Sequence, residues 1–251
     1  IALGLLGGEH DMADRPESKA ALEMAEPAVR HGFAPPYPRP PARNLRVYAF
    51  DPQASKDLNT AMVNDAVISL PWEEAWEEPL RPGPVGEYLE VIDHDPASGC
   101  FYAPVDLNDP HLLAQDGLPP SEGRPQFHQQ MVYAVAMRTI KLFERALGRS
   151  VIWAREGTED EKRKREEKGK GIRPHFEMKL RIYPHALREP NAYYSPDKTA
   201  LLFGYFRPPE DKSQGDKWVF TCLSQDIVAH ETTHAILHGL HRRSIQSSNV
   251  D

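Results

Sequence analysis

The sequence predicts an α+β protein, with a β-rich N-terminal part followed by a long helix, a further strand and a second helix. Three observations support this fold class. Residues 45–105 contain short alternating segments separated by turn signals. Residues 127–148 repeat apolar side chains at helical spacing. Residues 224–240 combine a helix-start signal with a second helical pattern.

The composition is that of a globular protein and limits its partners. Of the 251 residues, 40% are hydrophobic and 27% are charged, and the formal net charge is −7. An acidic balance of this size argues against nucleic acid or an anionic membrane as a partner. No apolar run in the sequence approaches the ~18 residues that a membrane span requires. The sequence does not predict an oligomeric state.

The N-terminus and the cysteines bear on the cellular compartment. Residues 1–8 are apolar but lack the basic start of a signal peptide, so a cytoplasmic protein is the default expectation. Because the chain begins with Ile1 rather than Met, secretion stays open. Cys100 and Cys222 are too few for a disulfide framework, and we expect them to be reduced. A single long-range bridge between them is the alternative.

The N-terminal half is predicted to contain a linker and several strands. Residues 1–44 are rich in proline, which predicts a poorly structured lead-in before a domain over residues 45–251. A helix is predicted near residues 57–65 and a loop over residues 106–125. The segments with strand patterns are Leu45–Phe50, Tyr88–Ile92 and Cys100–Ala103.

The clearest helical pattern begins at Phe127 and ends at Gly148, a residue suited to a helix C-cap. The apolar side chains that recur at helical spacing are Phe127, Met131, Ala134, Val135, Ile140, Phe143 and Leu147. This stripe predicts core packing. His128 stands alone near the helix start, and we expect it to be solvated or hydrogen-bonded rather than a metal ligand.

A charged segment and a strand follow this helix. Residues 155–173 hold eight basic and six acidic residues, and because the charges nearly cancel, an exposed loop is favoured over a nucleic-acid patch. Residues 176–183 alternate polar and apolar side chains, which predicts a half-buried strand.

The most informative motif is His230-Glu231-Thr232-Thr233-His234, an HExxH pattern within a predicted helix. Histidines four residues apart lie on one helix face about one pitch (~5.4 Å) apart, so both imidazoles can bind one zinc ion. Glu231 then lies beside them as a general base. The alternative is that these are ordinary hydrogen-bonded histidines. Ser224 is the expected N-cap, and Gly239 is expected to end the helix.

Two more histidines follow in the same helical sector, and we interpret both as bystanders. In an unbroken helix, His241 would lie ~16 Å along the axis from His230, outside one coordination sphere. The metzincin pattern HExxHxxGxxH would need Gly at position 237 and His at position 240, whereas this chain has Leu237 and Leu240. The alternative that His241 is the third zinc ligand stays open.

Three segments in the same order resemble the thermolysin-like zinc metallopeptidases, or gluzincins. Asp226–Leu237 is similar to the active-site helix of that family. Asn191–Tyr194 and Leu201–Gly204 resemble its edge hairpin, and Phe127–Gly148 resembles the long helix before that hairpin. The resemblance implies that residues 45–251 form the N-terminal lobe of such a peptidase, incomplete at its C-terminus.

The resemblance also implies an activity and its residues. It implies zinc-dependent, endopeptidase-like hydrolysis of a peptide or protein substrate, with Zn²⁺ held by His230 and His234. Glu231 would activate the zinc-bound water. Asn191, Ala192 and Tyr193 would bind the substrate as an edge strand.

In the family that this chain resembles, the third zinc ligand is a glutamate on the next helix. Asp251 lies only 17 residues past His234. We therefore expect a fragment truncated before this ligand, with weak zinc binding and little activity alone. Two alternatives stay open: a non-catalytic or degenerate relative that binds peptides, and a zincin of another type that uses His241.

Overall fold

The computed structural model describes residues 40–56, 58–155, 163, 175–208 and 218–240. These residues belong to a compact unit that begins at Pro40, and they combine helices with sheets, which confirms the mixed α+β class. The described residues exclude most of the predicted lead-in, nearly all of the charged segment of residues 155–173, and His241. None of the described helices is both long and apolar enough to cross a lipid bilayer.

The helices in the described part of the chain are α1 (Leu58–Ala61), α2 (Pro110–Ala114), α3 (Pro125–Leu147) and α4 (Gln225–Leu240). Short 3-10 turns are present at Pro52–Lys56 and Thr221–Leu223. The strands are β1 (Arg43–Tyr48), β2 (Asp65–Leu70), β3 (Leu89–Val91), β4 (His94–Asp95), β5 (Cys100–Phe101), β6 (Trp153–Arg155), β7 (His175–Glu177), β8 (Leu180–Leu187), β9 (Ala192–Ser195), β10 (Ala200–Phe206) and β11 (Val219–Phe220).

The main sheet has five described strands, and its centre is parallel. Strand β8 pairs in parallel with β3 on one side and with β10 on the other. Strands β9 and β11 pair with β10 in the antiparallel sense. The remaining described strands form two-stranded antiparallel pairs, β1–β2, β4–β5 and β6–β7.

Strands β9 and β10 form the hairpin that the resemblance of residues 191–204 implies. Their register places Ala192 opposite Phe203 and Ser195 opposite Ala200. Among the described strands, β9 pairs only with β10, so it lies at an edge of the sheet. The edge strand thus occurs at the residues for which the resemblance implies it.

Helix α3 runs through the core and packs against β1 and α4. Its apolar stripe is buried from Phe127 to Ile140, as predicted, and the left-handed Gly148 caps its C-terminus with φ 68°. The expectation for Leu147 was wrong, because this side chain at the last turn is 40% exposed.

Several element boundaries differ from prediction for local physical reasons. The helix expected near residues 57–65 is only α1, because Asp65 already pairs with Tyr48 as the start of β2. The strand expected over residues 176–183 is interrupted at Met178, which is 75% exposed. The loop expected over residues 106–125 contains α2, where the Asp109 side chain accepts a hydrogen bond from the His111 backbone N–H at 2.8 Å.

Gly239 does not end α4, which continues to Leu240. A Cβ atom at Gly239 would overlap the backbone carbonyl oxygen of Ile152, in the segment that leads into β6. The glycine is therefore needed for close packing of the helix rather than for termination. The prediction of a helix end at this position was wrong.

We expect Gly239→Ala to lower the free energy of unfolding by about 1–3 kcal/mol, because overpacking against a backbone atom costs this much. This overpacking cost is larger than or comparable to the ~1 kcal/mol by which alanine is favoured over glycine inside helices, which acts in the opposite direction. Urea denaturation measures the change. Gly123→Ala is the matched control, because a Cβ there meets no atom within 4 Å. A more stable Gly239→Ala variant would contradict this account of the helix contact.

Candidate functional site

The helix that carries the HExxH motif begins as the sequence predicts. Ser224 has an extended backbone and its carbonyl accepts a hydrogen bond from the Val228 N–H at 3.1 Å, while Asp226 lies in the first turn. The hydroxyls of Thr232 and Thr233 donate to the carbonyls one turn earlier, at 2.7 and 2.8 Å. The two threonines are thus bonded to their own helix and do not compete for the histidines.

The rings of His230 and His234 converge. Both residues are exposed, and their Nε2 atoms lie 2.9 Å apart, with ring centroids separated by 4.6 Å. Two nitrogens bound to one tetrahedral zinc ion lie about 3.3 Å apart, given zinc–nitrogen bonds of about 2.0–2.1 Å. A displacement of less than about 0.5 Å would therefore fit both donors to one ion.

Glu231 is buried and points toward the hairpin rather than toward solvent. Its Oε2 accepts a hydrogen bond from the backbone N–H of Tyr194 at 2.9 Å. Within the described ranges, no hydrogen bond to its other carboxylate oxygen is present. The carboxylate is thus fixed between the motif helix and the edge strand, one residue from His230.

The edge strand presents backbone groups toward this carboxylate. The Tyr194 N–H points away from β10, and alternate residues of a strand share a direction, so the backbone of Ala192 also faces the outer edge. Asn191 precedes β9, and its side-chain oxygen accepts the Ala192 N–H at 2.9 Å.

Tyr193 lies elsewhere. Its backbone faces β10, and its side chain lines an open cavity of ≈ 680 Å³ together with Arg181, Tyr183 and Lys198.

His238 does not face the motif histidines. It is 1% exposed, and its Nδ1 lies 2.9 Å from the hydroxyl of Tyr194. The prediction that it shares the open sector of His230 and His234 was wrong, because the Tyr194 ring covers this part of the helix. His238 therefore stabilises the contact between α4 and β9.

A second histidine cluster, which the sequence did not predict as a site, lies in the core. His128 on α3 and His185 on β8 are buried, and their facing nitrogens, Nδ1 and Nε2, are 2.8 Å apart. The outer nitrogen of His128 lies 3.0 Å from the Glu122 carbonyl oxygen, and that of His185 lies 2.5 Å from Asp93 Oδ1. The expectation that His128 is hydrogen-bonded is confirmed, but the residue does not stand alone, and the expectation that it is not a metal ligand stays a prediction.

Cys222 completes this buried group. Its Sγ and one nitrogen of each histidine all lie within 4.8 Å of one another, so the three residues could hold a metal ion. Burial, with a contribution from Asp93, raises the pKa of the Cys222 thiol. Burial, with the adjacent His185, lowers the pKa of His128 to about 3. Cys222 and Cys100 are both free, so the alternative of a bridge between them is excluded.

Burial also limits the chemistry of the second cluster. A Cys-His-Asp arrangement can serve nucleophilic catalysis only when the thiol is accessible and readily ionised. Cys222 is fully buried and its thiol pKa is raised, which leaves metal binding or packing as its chemistry.

The sequence offered no local signal for this cluster. Asp93, His128, His185 and Cys222 are each separated by 35 residues or more, so no motif spacing connects them. They meet because α3 lies across the sheet that contains β8.

Comparison with protein-family models, with curated proteins and with solved structures finds no match to this chain.

We expect Tyr194→Phe to lower the free energy of unfolding by about 1–3 kcal/mol, because the buried His238 ring loses its hydroxyl partner. The backbone bond to Glu231 is unaffected by this substitution. Tyr193→Phe is the matched control, since that side chain is 38% exposed, and it should change stability by less than about 0.5 kcal/mol. Equal effects of the two substitutions in thermal or urea denaturation would contradict the role given to the hydroxyl.

Proposed function

We propose that this chain carries the active-site helix and substrate edge of a zinc-dependent, endopeptidase-like hydrolase that acts on peptides or proteins. The observation that carries the proposal is the arrangement of three side chains. The Nε2 atoms of His230 and His234 meet at 2.9 Å, and the neighbouring Glu231 carboxylate is fixed 2.9 Å from the Tyr194 N–H of the edge strand.

The donor set suits zinc. His230 and His234 would hold the ion, and they are exposed, so an ion and a substrate can reach them. A bound zinc ion supplies the Lewis-acid chemistry that activates water and polarises a carbonyl group. In the described ranges, the only group of three close potential ligands is the separate buried cluster. The family resemblance implies that the third ligand of the motif comes from residues downstream of α4.

Glu231 moves the proton in the proposed reaction. Its carboxylate accepts a proton from the attacking water and returns it to the nitrogen of the leaving amine. The Tyr194 N–H holds one carboxylate oxygen in place, so the geometry of the proton acceptor is fixed before a substrate binds. The peptide is positioned as an added strand along the outer edge of β9, near Asn191 and Ala192.

A non-catalytic peptide-binding role is the second candidate. It is favoured by the finding that the described residues place only two metal donors at the motif. The same outer edge of β9 would then bind an extended peptide without cleaving it. Activity measurements on a Glu231 variant separate the two roles.

We expect slow, zinc-dependent hydrolysis of an unstructured fluorogenic peptide by the chain, and a loss of at least about 100-fold in rate for Glu231→Gln, the lower limit for a general base. Glu90→Gln, a matched change beside Arg181 on the main sheet, should keep the wild-type rate. Wild-type activity in Glu231→Gln would exclude the proposed mechanism. Zinc-loaded wild type that binds but never cleaves peptides would favour the second candidate.

The ligand set is tested by zinc affinity. We expect His234→Ala to weaken zinc binding at the motif strongly and His241→Ala to leave it nearly unchanged. Zinc titration followed through the imidazole NMR signal of His230 reports on the motif alone, so the buried cluster does not interfere. Equal losses in the two variants would instead support a zincin that uses His241.

A further inference from the structure

We propose that His128, His185 and Cys222 form a second metal site, separate from the HExxH motif, that binds one transition-metal ion such as Zn²⁺. The inference does not depend on the peptidase proposal. The site would have a structural role, because its ligands connect α3, the sheet strand β8, and the 3-10 turn that leads into α4.

The donor set and its placement support a metal of the zinc class. Two imidazole nitrogens and one sulfur are a combination that Zn²⁺ and related ions prefer. All three ligand residues are buried, and the three donor atoms lie within 4.8 Å of one another. Three-ligand sites of this kind leave a fourth position that water can fill.

The outer nitrogens of both histidines are held as they are in metal sites. A carbonyl oxygen only accepts hydrogen bonds, so the Glu122 contact assigns a proton to His128 Nε2 and directs the Nδ1 lone pair inward. Asp93 holds His185 Nδ1 at 2.5 Å, which directs Nε2 inward. Carboxylate and carbonyl partners of this kind orient metal-binding imidazoles.

Further contacts fix the Asp93 carboxylate and enclose the two histidine rings. Asp93 Oδ2 accepts a hydrogen bond from Gln129 Nε2 at 2.8 Å. The Phe220 ring packs 4.7 Å from His128 and 5.6 Å from His185, which keeps the cluster apolar on that side. An apolar wall strengthens the attraction between an ion and its ligands.

The alternative occupant of the gap between the histidines is a proton. A hydrogen bond at 2.8 Å between the inner nitrogens requires one proton, and His185 Nδ1 and Asp93 Oδ1 share a second one. This pair is neutral overall, with Cys222 as a thiol. Exchange of the bridging proton and the thiol proton for one divalent ion leaves the group neutral again, so metal binding adds no net charge to the core.

The required adjustment is small. Zinc–nitrogen and zinc–sulfur bonds of about 2.0–2.1 and 2.3 Å place the nitrogens about 3.3 Å apart and the sulfur about 3.6 Å from each. The histidine rings would separate by about 0.5 Å, and Cys222 Sγ would move inward by no more than about 1.2 Å.

Cobalt binding tests the proposal, because only a thiolate ligand produces a near-ultraviolet sulfur-to-cobalt charge-transfer band. The full chain with one equivalent of Co²⁺ should show this band, and the His230→Ala/His234→Ala double variant should keep it. Cys222→Ser should lose it, whereas Cys100→Ser, the matched control at an exposed cysteine, should not. Absence of the band in the wild type, or its persistence in Cys222→Ser, would overturn the proposal.

A measurement on the unmodified chain covers the case in which Cys222→Ser fails to fold. Cadmium NMR of the wild type should show one resonance in the range of sulfur-ligated ions. Added Zn²⁺ should raise the melting temperature of the His230→Ala/His234→Ala variant. A cadmium signal from nitrogen and oxygen ligands alone, or no thermal shift, would show that a proton rather than a metal occupies the cluster.

Discussion

The hydrogen bond from the Tyr194 backbone N–H to the Glu231 carboxylate is the constraint on which the candidate site depends. It joins the motif helix to the edge strand, and it uses a backbone donor that no side-chain substitution other than proline removes. The contacts of Tyr194 with His238 and of Gly239 with Ile152 hold the same helix from its other end. The two histidines can therefore stay exposed while the helix that carries them is fixed.

Two histidine pairs with nearly equal nitrogen separations have different surroundings. The pair on α4 is solvent-exposed, with an anchored carboxylate beside it, as a hydrolytic centre requires. The pair formed by His128 and His185 is enclosed by the core, with both outer nitrogens held. Accessibility rather than ligand chemistry separates a candidate reactive site from a candidate structural one.

Periodic patterns predicted the elements whose features are local in sequence. Helix α3, the start of α4 and the convergence of His230 with His234 follow from spacing alone, whereas the β9–β10 hairpin was implied only by the family resemblance. Features that depend on contacts between distant segments were missed. Gly239 resembles a helix terminator in sequence, yet it is a packing position against Ile152, and the partners of His128 are brought to it only by the sheet. His238 shares the helical sector of the motif, but the Tyr194 ring covers it.

The short length of β9 has a consequence for solubility. An uncovered strand edge can template pairing between copies of a chain and lead to aggregation. Strand β9 has only four residues, Ala192–Ser195, and its outward N–H groups are already bonded, that of Tyr194 to Glu231 and that of Ala192 to the Asn191 side chain. Such an edge is too short to nucleate growth of a shared sheet between molecules.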